Sequence, residues 1–240
     1  MHGWAVAALD LVFPALCPVC EARLGPGRRD PLCAACWDAI ERLTPPWCWR
    51  CGSPSPGIDP VRGPGQVCPG CSAAPPAYDY ARSAGHYAGP LREAVVALKF
   101  SRRWTLARPL ADLVLDQCAG TFPSVPDALV PVPLARARER ERGFNQARLI
   151  AERLAPALGA PVRAGWLARA RNTAPQTDLS ATQRRANVRG AFVAGSAATG
   201  RHVLLIDDVL TTGATVEECV RALRAVGAAR VGVVTVARVL

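Results

Sequence analysis

Residues 203–215 read VLLIDDVLTTGAT. The four apolar residues 203–206 suit a buried parallel strand, and the carboxyl end of such a strand is where open α/β sheets bind ligands. Asp207 and Asp208 follow at once. Placed at a strand end, both carboxylates can turn toward one ligand and accept hydrogen bonds from ribose hydroxyls. Thr211, Thr212, Gly213, Ala214 and Thr215 come next. They supply hydroxyls, a glycine that admits close backbone approach, and a helix N-terminus whose N–H groups face outward. Together these make a cradle for a phosphate. Glu217 and Glu218 fall in the first turn of that helix, where they complement its dipole. The chemistry expected here is the holding of a phosphorylated ribose.

A second set of reactive residues lies at the other end. Eight of the ten cysteines form C-x-x-C pairs: Cys17/Cys20, Cys33/Cys36, Cys48/Cys51 and Cys68/Cys71. A C-x-x-C turn presents two thiolates to one metal, and two such turns complete a tetrahedral sulfur site. Tetrahedral sulfur ligation selects zinc or iron–sulfur, and redox-inert zinc suits a structural staple. Sequential sites (17, 20, 33, 36 and 48, 51, 68, 71) are favoured, with interleaved pairing or a single occupied site as alternatives. Disulfides or a redox dithiol fit a reducing compartment poorly. Cys118 and Cys219 are isolated in amphipathic helical patterns and read as small core residues.

The elements that must position these groups divide the chain in two. Residues 1–75 are rich in Cys, Pro, Gly and Trp, with little periodicity, and such a segment needs a staple to fold. Residues 76–240 alternate helical and strand patterns. Helices are expected at 91–100, 106–118, 145–158 and 215–226, and strands at 128–132, 203–206 and 231–236. This order argues for a mostly parallel α/β sheet covered on both faces. With 240 residues, half of them apolar, a sizeable core is available. No apolar run spans a bilayer, so no membrane insertion is expected. Residues 4–16 lack a basic start and a cleavage site, and read as a short docking helix of a cytoplasmic protein rather than a signal peptide. The formal net charge of +10, almost all from arginine, suits acidic partners such as phosphates or nucleic acid. The three histidines have no partners within sequence reach and take no role.

The stretch VLLIDDVLTTGAT is similar to the phosphoribosyl pyrophosphate motif of type I phosphoribosyltransferases. Several further motifs occur in order: the paired cysteines, Leu98-Lys99-Phe100, Val130-Pro131-Val132-Pro133-Leu134, Arg142-Gly143-Phe144-Asn145-Gln146, and Gln176-Thr177 followed by Arg184 and Asn187. With them, essentially the whole chain resembles the ComF family of competence proteins. That resemblance implies a double zinc ribbon followed by a type I phosphoribosyltransferase-like domain, and a link to DNA uptake in natural transformation. It implies that Asp207 and Asp208 contact ribose and magnesium, and that Thr211–Thr215 hold the 5′-phosphate. Pro133 and Leu134 would lie in a pyrophosphate loop with Arg136 nearby. Arg142, Asn145 and Gln146 would shape the site's edge, with Asn145 equally able to cap a helix. Residues 176–187, with Arg184, read as a flap that closes over a phosphate ligand. Lys99, the only lysine, is as well suited to a solvated helix end as to a phosphate.

Two functional classes follow. One is a pentosyltransferase of nucleotide or nucleoside metabolism, using phosphoribosyl pyrophosphate with magnesium. No general base or base-recognition motif identifies its acceptor. The other is a binding protein for that ligand, with single-stranded DNA and a competence helicase as partners.

Overall fold

The computed structural model describes residues 15–25, 30–55, 57–58, 65–171 and 181–240, leaving aside the side chains of Ala181 and Arg184. Residues 4–14 of the expected N-terminal helix and 176–180 of the expected flap lie outside them.

Beyond the cysteine-rich segment the chain forms β1 (Tyr80–His86), α3 (Gly89–Phe100), α4 (Ala107–Cys118), β2 (Ala128–Pro131), α5 (Arg136–Arg142) and α6 (Gln146–Leu158). There follow β3 (Leu167–Arg169), α7 (Ala181–Val188), β4 (Phe192–Ala194), β5 (His202–Leu210), α8 (Ala214–Ala225) and β6 (Arg230–Arg238). The short α1 (Ala34–Asp38) and α2 (Pro69–Ala73) precede them. Four strands make an all-parallel sheet in the order β1-β6-β5-β2, and β3 with β4 forms a separate antiparallel pair.

The centre of the sheet follows from composition. β5 and β6 are runs of Val, Leu and Ile, which suit a strand buried on both faces. Alternation sends Leu204, Ile206, Val234 and Val236 toward α3, α4 and α6. Val203, Leu205, Val231 and Val233 point toward α8 and the β3–β4 pair. Gly232 is required in the middle of β6, because a Cβ there would lie 2.2 Å from the Tyr80 ring. Helix α6 starts where expected. Asn145 caps it, its Oδ1 accepting from Ala147 N at 2.9 Å and Arg148 N at 3.4 Å.

Strand β1 was not anticipated. Its residues, Tyr-Ala-Arg-Ser-Ala-Gly-His, carry no strong strand signal. Its place is fixed by pairing, with β6 on one side and the cysteine-rich segment on the other. Leu43 N donates to Ala84 O at 3.0 Å, His86 N to Glu41 O at 2.9 Å, and Ala81 N to Arg50 O at 2.7 Å. That segment straddles the sheet's edge. Cys17, Leu32, Cys36 and Ile40 join the apolar cluster on the α3/α4/α6 face. Cys48, Cys51, Ile58 and Cys71 join the cluster on the α8 face.

Candidate functional site

Strand β5 runs four residues further than its apolar stretch. Asp207 lies opposite Thr235 and Leu210 opposite Arg238. The two acids therefore sit within a paired strand rather than past its end, yet their carboxyl groups stay within hydrogen-bond reach of each other, and Asp207 Oδ1 accepts from Asp208 N at 2.9 Å.

Asp208 is 4% exposed. Its Oδ2 lies against Lys99 Nζ at the end of α3, and its Oδ1 accepts from Gln146 Nε2 at 3.4 Å. Burial opposes its ionisation, but Lys99 and the neighbouring hydrogen bonds hold it below the usual carboxylate range. Asp207 beside it is half-buried, and Arg169 and Cys219 sense its charge. Burial and the adjacent Asp208 push it well above the usual range. The pair is thus unequal: Asp208 gives up its proton readily and Asp207 holds its own to higher pH.

The threonine loop follows directly. Thr211 is exposed, while Thr212 and Gly213 are half-buried. Gly213 adopts φ +77° and caps α8, a left-handed conformation that favours glycine. Thr212 Oγ1 accepts from Ala214 N at 3.5 Å. Glu217 and Glu218 pair with Arg221, and Glu218 Oε2 also accepts from Gly190 N at 2.9 Å. Glu218 thereby ties α8 to the turn before β4.

The turn after β2 borders the same edge. Val132 N donates to Ile206 O at 2.9 Å, and Asn145 Nδ2 donates to Val132 O at 3.0 Å. Pro133 and Leu134 are half-buried beside them, and Arg136 opens α5 exposed to solvent. Arg142 Nη1 donates to Gln146 Oε1 at 2.6 Å. A polar chain therefore runs Arg142–Gln146–Asp208–Lys99. The basic run 136–142 is a helix, with Gly143 at φ +86° ending it. Of the expected flap, the described part forms α7, which carries Arg184.

The cysteines fall into two tetrads, Cys17, Cys20, Cys33, Cys36 and Cys48, Cys51, Cys68, Cys71, each with its sulfurs within 4.8 Å of one another. This is the sequential pairing. Sulfur separations of 3.8 Å (Cys17–Cys36), 3.5 Å (Cys20–Cys33) and 3.9 Å (Cys51–Cys68) are far longer than a disulfide, about 2.05 Å. Four sulfurs held about 2.3 Å from a zinc ion stand about 3.8 Å apart, so the donor set fits zinc. Backbone N–H groups of Cys51 and Cys68 point at Cys48 Sγ, at 3.4 and 3.2 Å. Burial opposes its thiolate, but these donors lower the Cys48 pKa to about 7. That is the form a metal takes.

Residues 8–72 match a family model described as a double zinc ribbon domain, and residues 144–240 match the phosphoribosyl transferase domain. The DNA utilization protein YhgH of Salmonella typhimurium is 36% identical over 234 residues, covering 96% of this chain and 100% of that protein. Competence protein F of Haemophilus influenzae is 33% identical over 217 residues, 88% of this chain and 91% of that protein. The chain belongs to the ComF family. A further similar member, competence protein ComFC of Bacillus subtilis, is 28% identical over 201 residues, 81% of this chain and 78% of that protein.

In this ComF family member the sequence left two site residues without a firm role. Lys99 is the buried partner of Asp208, not a solvated helix end. Its apolar neighbours Leu98 and Val95 were the available signal, since they put the end of α3 inside the core. Arg169, on β3, stacks on Phe192 with 5.3 Å between guanidinium and ring centroid, and lies within electrostatic reach of Asp207. Nothing local in sequence marks it. The histidines do find partners: His86 Nδ1 meets Glu41 Oε2 at 2.9 Å, and His202 Nε2 meets Tyr80 Oη at 3.0 Å. No helix among the described residues is long and apolar enough to cross a membrane.

Proposed function

We propose that this protein binds phosphoribosyl pyrophosphate together with magnesium at the carboxyl edge of its parallel sheet, and that it serves DNA uptake. The observation that carries the reading is the junction at β5: an acid pair embedded in the strand, leading straight into a glycine-capped helix N-terminus. In this reading Thr211, Thr212, Gly213, Ala214 and Thr215 hold the 5′-phosphate, and Asp207 accepts from the ribose hydroxyls. Asp208, fixed by Lys99 and Gln146, keeps a negative charge beside it. Pro133, Leu134 and Arg136 border the pyrophosphate, Arg142 and Asn145 hold the edge, and Arg184 closes from α7. Magnesium, bound with the ligand, would supply charge neutralisation to the pyrophosphate. The same proposal divides the chain at residue 75, with the ribbon before it and the transferase-like domain after it. The names of the relatives, DNA utilization and competence proteins, support the role in DNA uptake.

Calorimetry with magnesium and phosphoribosyl pyrophosphate tests this. Wild type is expected to bind, and Asp207→Ala/Asp208→Ala to bind at least tenfold more weakly. Equal affinity sinks the assignment. Pyrophosphate release across a panel of bases then separates a pentosyltransferase from a binder.

A second reading, contact with single-stranded DNA, is favoured by one surface. Phe100 and Trp104 are 69% and 62% exposed, beside the exposed Arg102 and Arg103. The Arg142 guanidinium lies 5.6 Å from the Phe100 ring centroid, and Arg102 Nη2 donates to Glu141 O at 2.7 Å. Aromatics interleaved with arginines give bases a stacking platform and the backbone its counter-charge.

A further inference from the structure

The second cysteine tetrad meets the sheet through three successive carbonyls of its first knuckle. Trp49 O accepts from Arg82 Nη1 at 2.8 Å, Arg50 O accepts from Ala81 N at 2.7 Å, and Cys51 O accepts from Arg238 Nη1. Ala81 and Arg82 belong to β1, and Arg238 ends β6. The approach is close, since a Cβ on Gly52 would lie 2.4 Å from Ala81 O.

The two arginines are chemically odd. Arg82 is 2% exposed, with its guanidinium over the rings of Trp49 and Trp47 at 4.7 and 5.7 Å. Neither Arg82 nor Arg238 pairs with a carboxylate among the described residues. Each also keeps a buried nitrogen, Arg82 Nη2 and Arg238 Nε, with no hydrogen-bond partner. A buried cation without a counter-charge is costly. The balancing charge is at hand. Four thiolates around one divalent ion leave a net double negative charge, and two guanidinium groups cancel it. Among the described residues the first tetrad has no such arrangement: its Cys20 is exposed, and water screens its charge.

We propose that Arg82 and Arg238 are the counter-charges of a zinc–tetrathiolate at Cys48, Cys51, Cys68 and Cys71, so that metal at this site, and not at the first, locks the ribbon to the β1–β6 edge. With the metal bound, the two arginines are paired cations. With it gone, they become unbalanced charges pressed against the knuckle.

Zinc release to a colorimetric chelator tests the idea in the full-length protein. Arg238→Gln is expected to lose one of two zinc ions 10- to 100-fold more readily than wild type, the usual reach of such outer partners, and the other unchanged. Cys33→Ser, which removes a ligand of the first tetrad, assigns the labile ion to the second. Arg238→Lys keeps the charge and is expected to recover most of the retention. Cobalt substitution gives an independent readout, since thiolate-to-cobalt absorbance at one site only should be lost in Arg238→Gln. Wild-type release of both ions, equal loosening of both sites, or a lysine variant as weak as glutamine would each overturn the proposal. Should Arg82→Gln fail to fold, the two Arg238 variants carry the test alone.

Discussion

Lys99 Nζ rests against Asp208 Oδ2 inside the carboxyl edge of the sheet, while Asp207, the next residue, has no cation of its own in hydrogen-bond reach among the described residues. One buried lysine thus serves two adjacent acids. Lys99→Met would leave Asp208 buried and uncompensated, and is expected to destabilise the fold by about 3–5 kcal/mol. Asp207→Asn is expected to do the reverse. Asp207's raised carboxyl contributes stability below about pH 4 and loses it as pH rises through its folded value; Asp208, held low, contributes above about pH 4 and loses it as pH falls. At neutral pH the asparagine therefore removes a burden, and thermal melts should show a higher Tm with ligand binding abolished. A Tm drop in Asp207→Asn contradicts this account.

The same asymmetry sets a pH dependence for the proposed ligand. Ribose hydroxyls and magnesium both prefer a carboxylate, and burial beside Asp208 makes Asp207 hold its proton to higher pH than an ordinary carboxyl. Affinity is expected to rise with pH through the elevated pKa of Asp207, and binding to release a proton. Titrations in buffers of different ionisation enthalpy measure that release. Asp207→Asn should show no such release, and a proton count of zero in wild type would contradict the assignment.

Gly213 offers a test of the loop alone. At φ +77° a side chain costs about 1–2 kcal/mol, yet a Cβ there meets nothing nearer than 3.9 Å. Gly213→Ala is expected to fold, lose about that much stability, and bind phosphoribosyl pyrophosphate roughly tenfold more weakly as the loop shifts. Unchanged binding would remove the loop from the site.

Metal removal should be felt well beyond the cysteines. Chelation is expected to release two zinc ions per chain and to strip β1 of its ribbon partners, the bonds at Ala81, Ala84 and His86. Hydrogen exchange is the measurement: protection at the Ala81 and His86 amides should fall while that of Leu205 and Ile206 in β5 persists. Uniform loss across the sheet would show that the ribbon supports the whole body rather than its edge.

If single strands bind at the aromatic surface, Phe100→Ala and Trp104→Ala should each cost about 1–3 kcal/mol of affinity. Arg103→Gln should instead lower the salt slope by about one. Wild-type affinity in both aromatic variants would eliminate that surface.

The ribbon and the β5 junction were legible because each is local. C-x-x-C spacing and a strand–acid–loop–helix run need no distant partner to be read. What stayed hidden depends on tertiary placement. β1 has the composition of a loop and becomes a strand only between β6 and the ribbon. Lys99 is a lone lysine until α3 carries it to Asp208 across a sequence distance of over a hundred residues. The continuation of β5 through Leu210, which sets the two acids inside the strand, comes from pairing with β6 and leaves no mark in the run of residue types.

Strand β6 follows every other strand in the chain and yet lies between β1 and β5. During synthesis the first strand and the acid-bearing strand must wait, unpaired with each other, until the last one threads between them. The metal-bearing segment meets β5 through that latecomer. Loss of residues 230–238 would split the sheet into a ribbon-bound fragment and an acid-bearing one. Frameshifts and nonsense codons that remove residues 230–238 should therefore be as damaging as lesions in the acid pair, and should yield proteolysed rather than merely inactive protein.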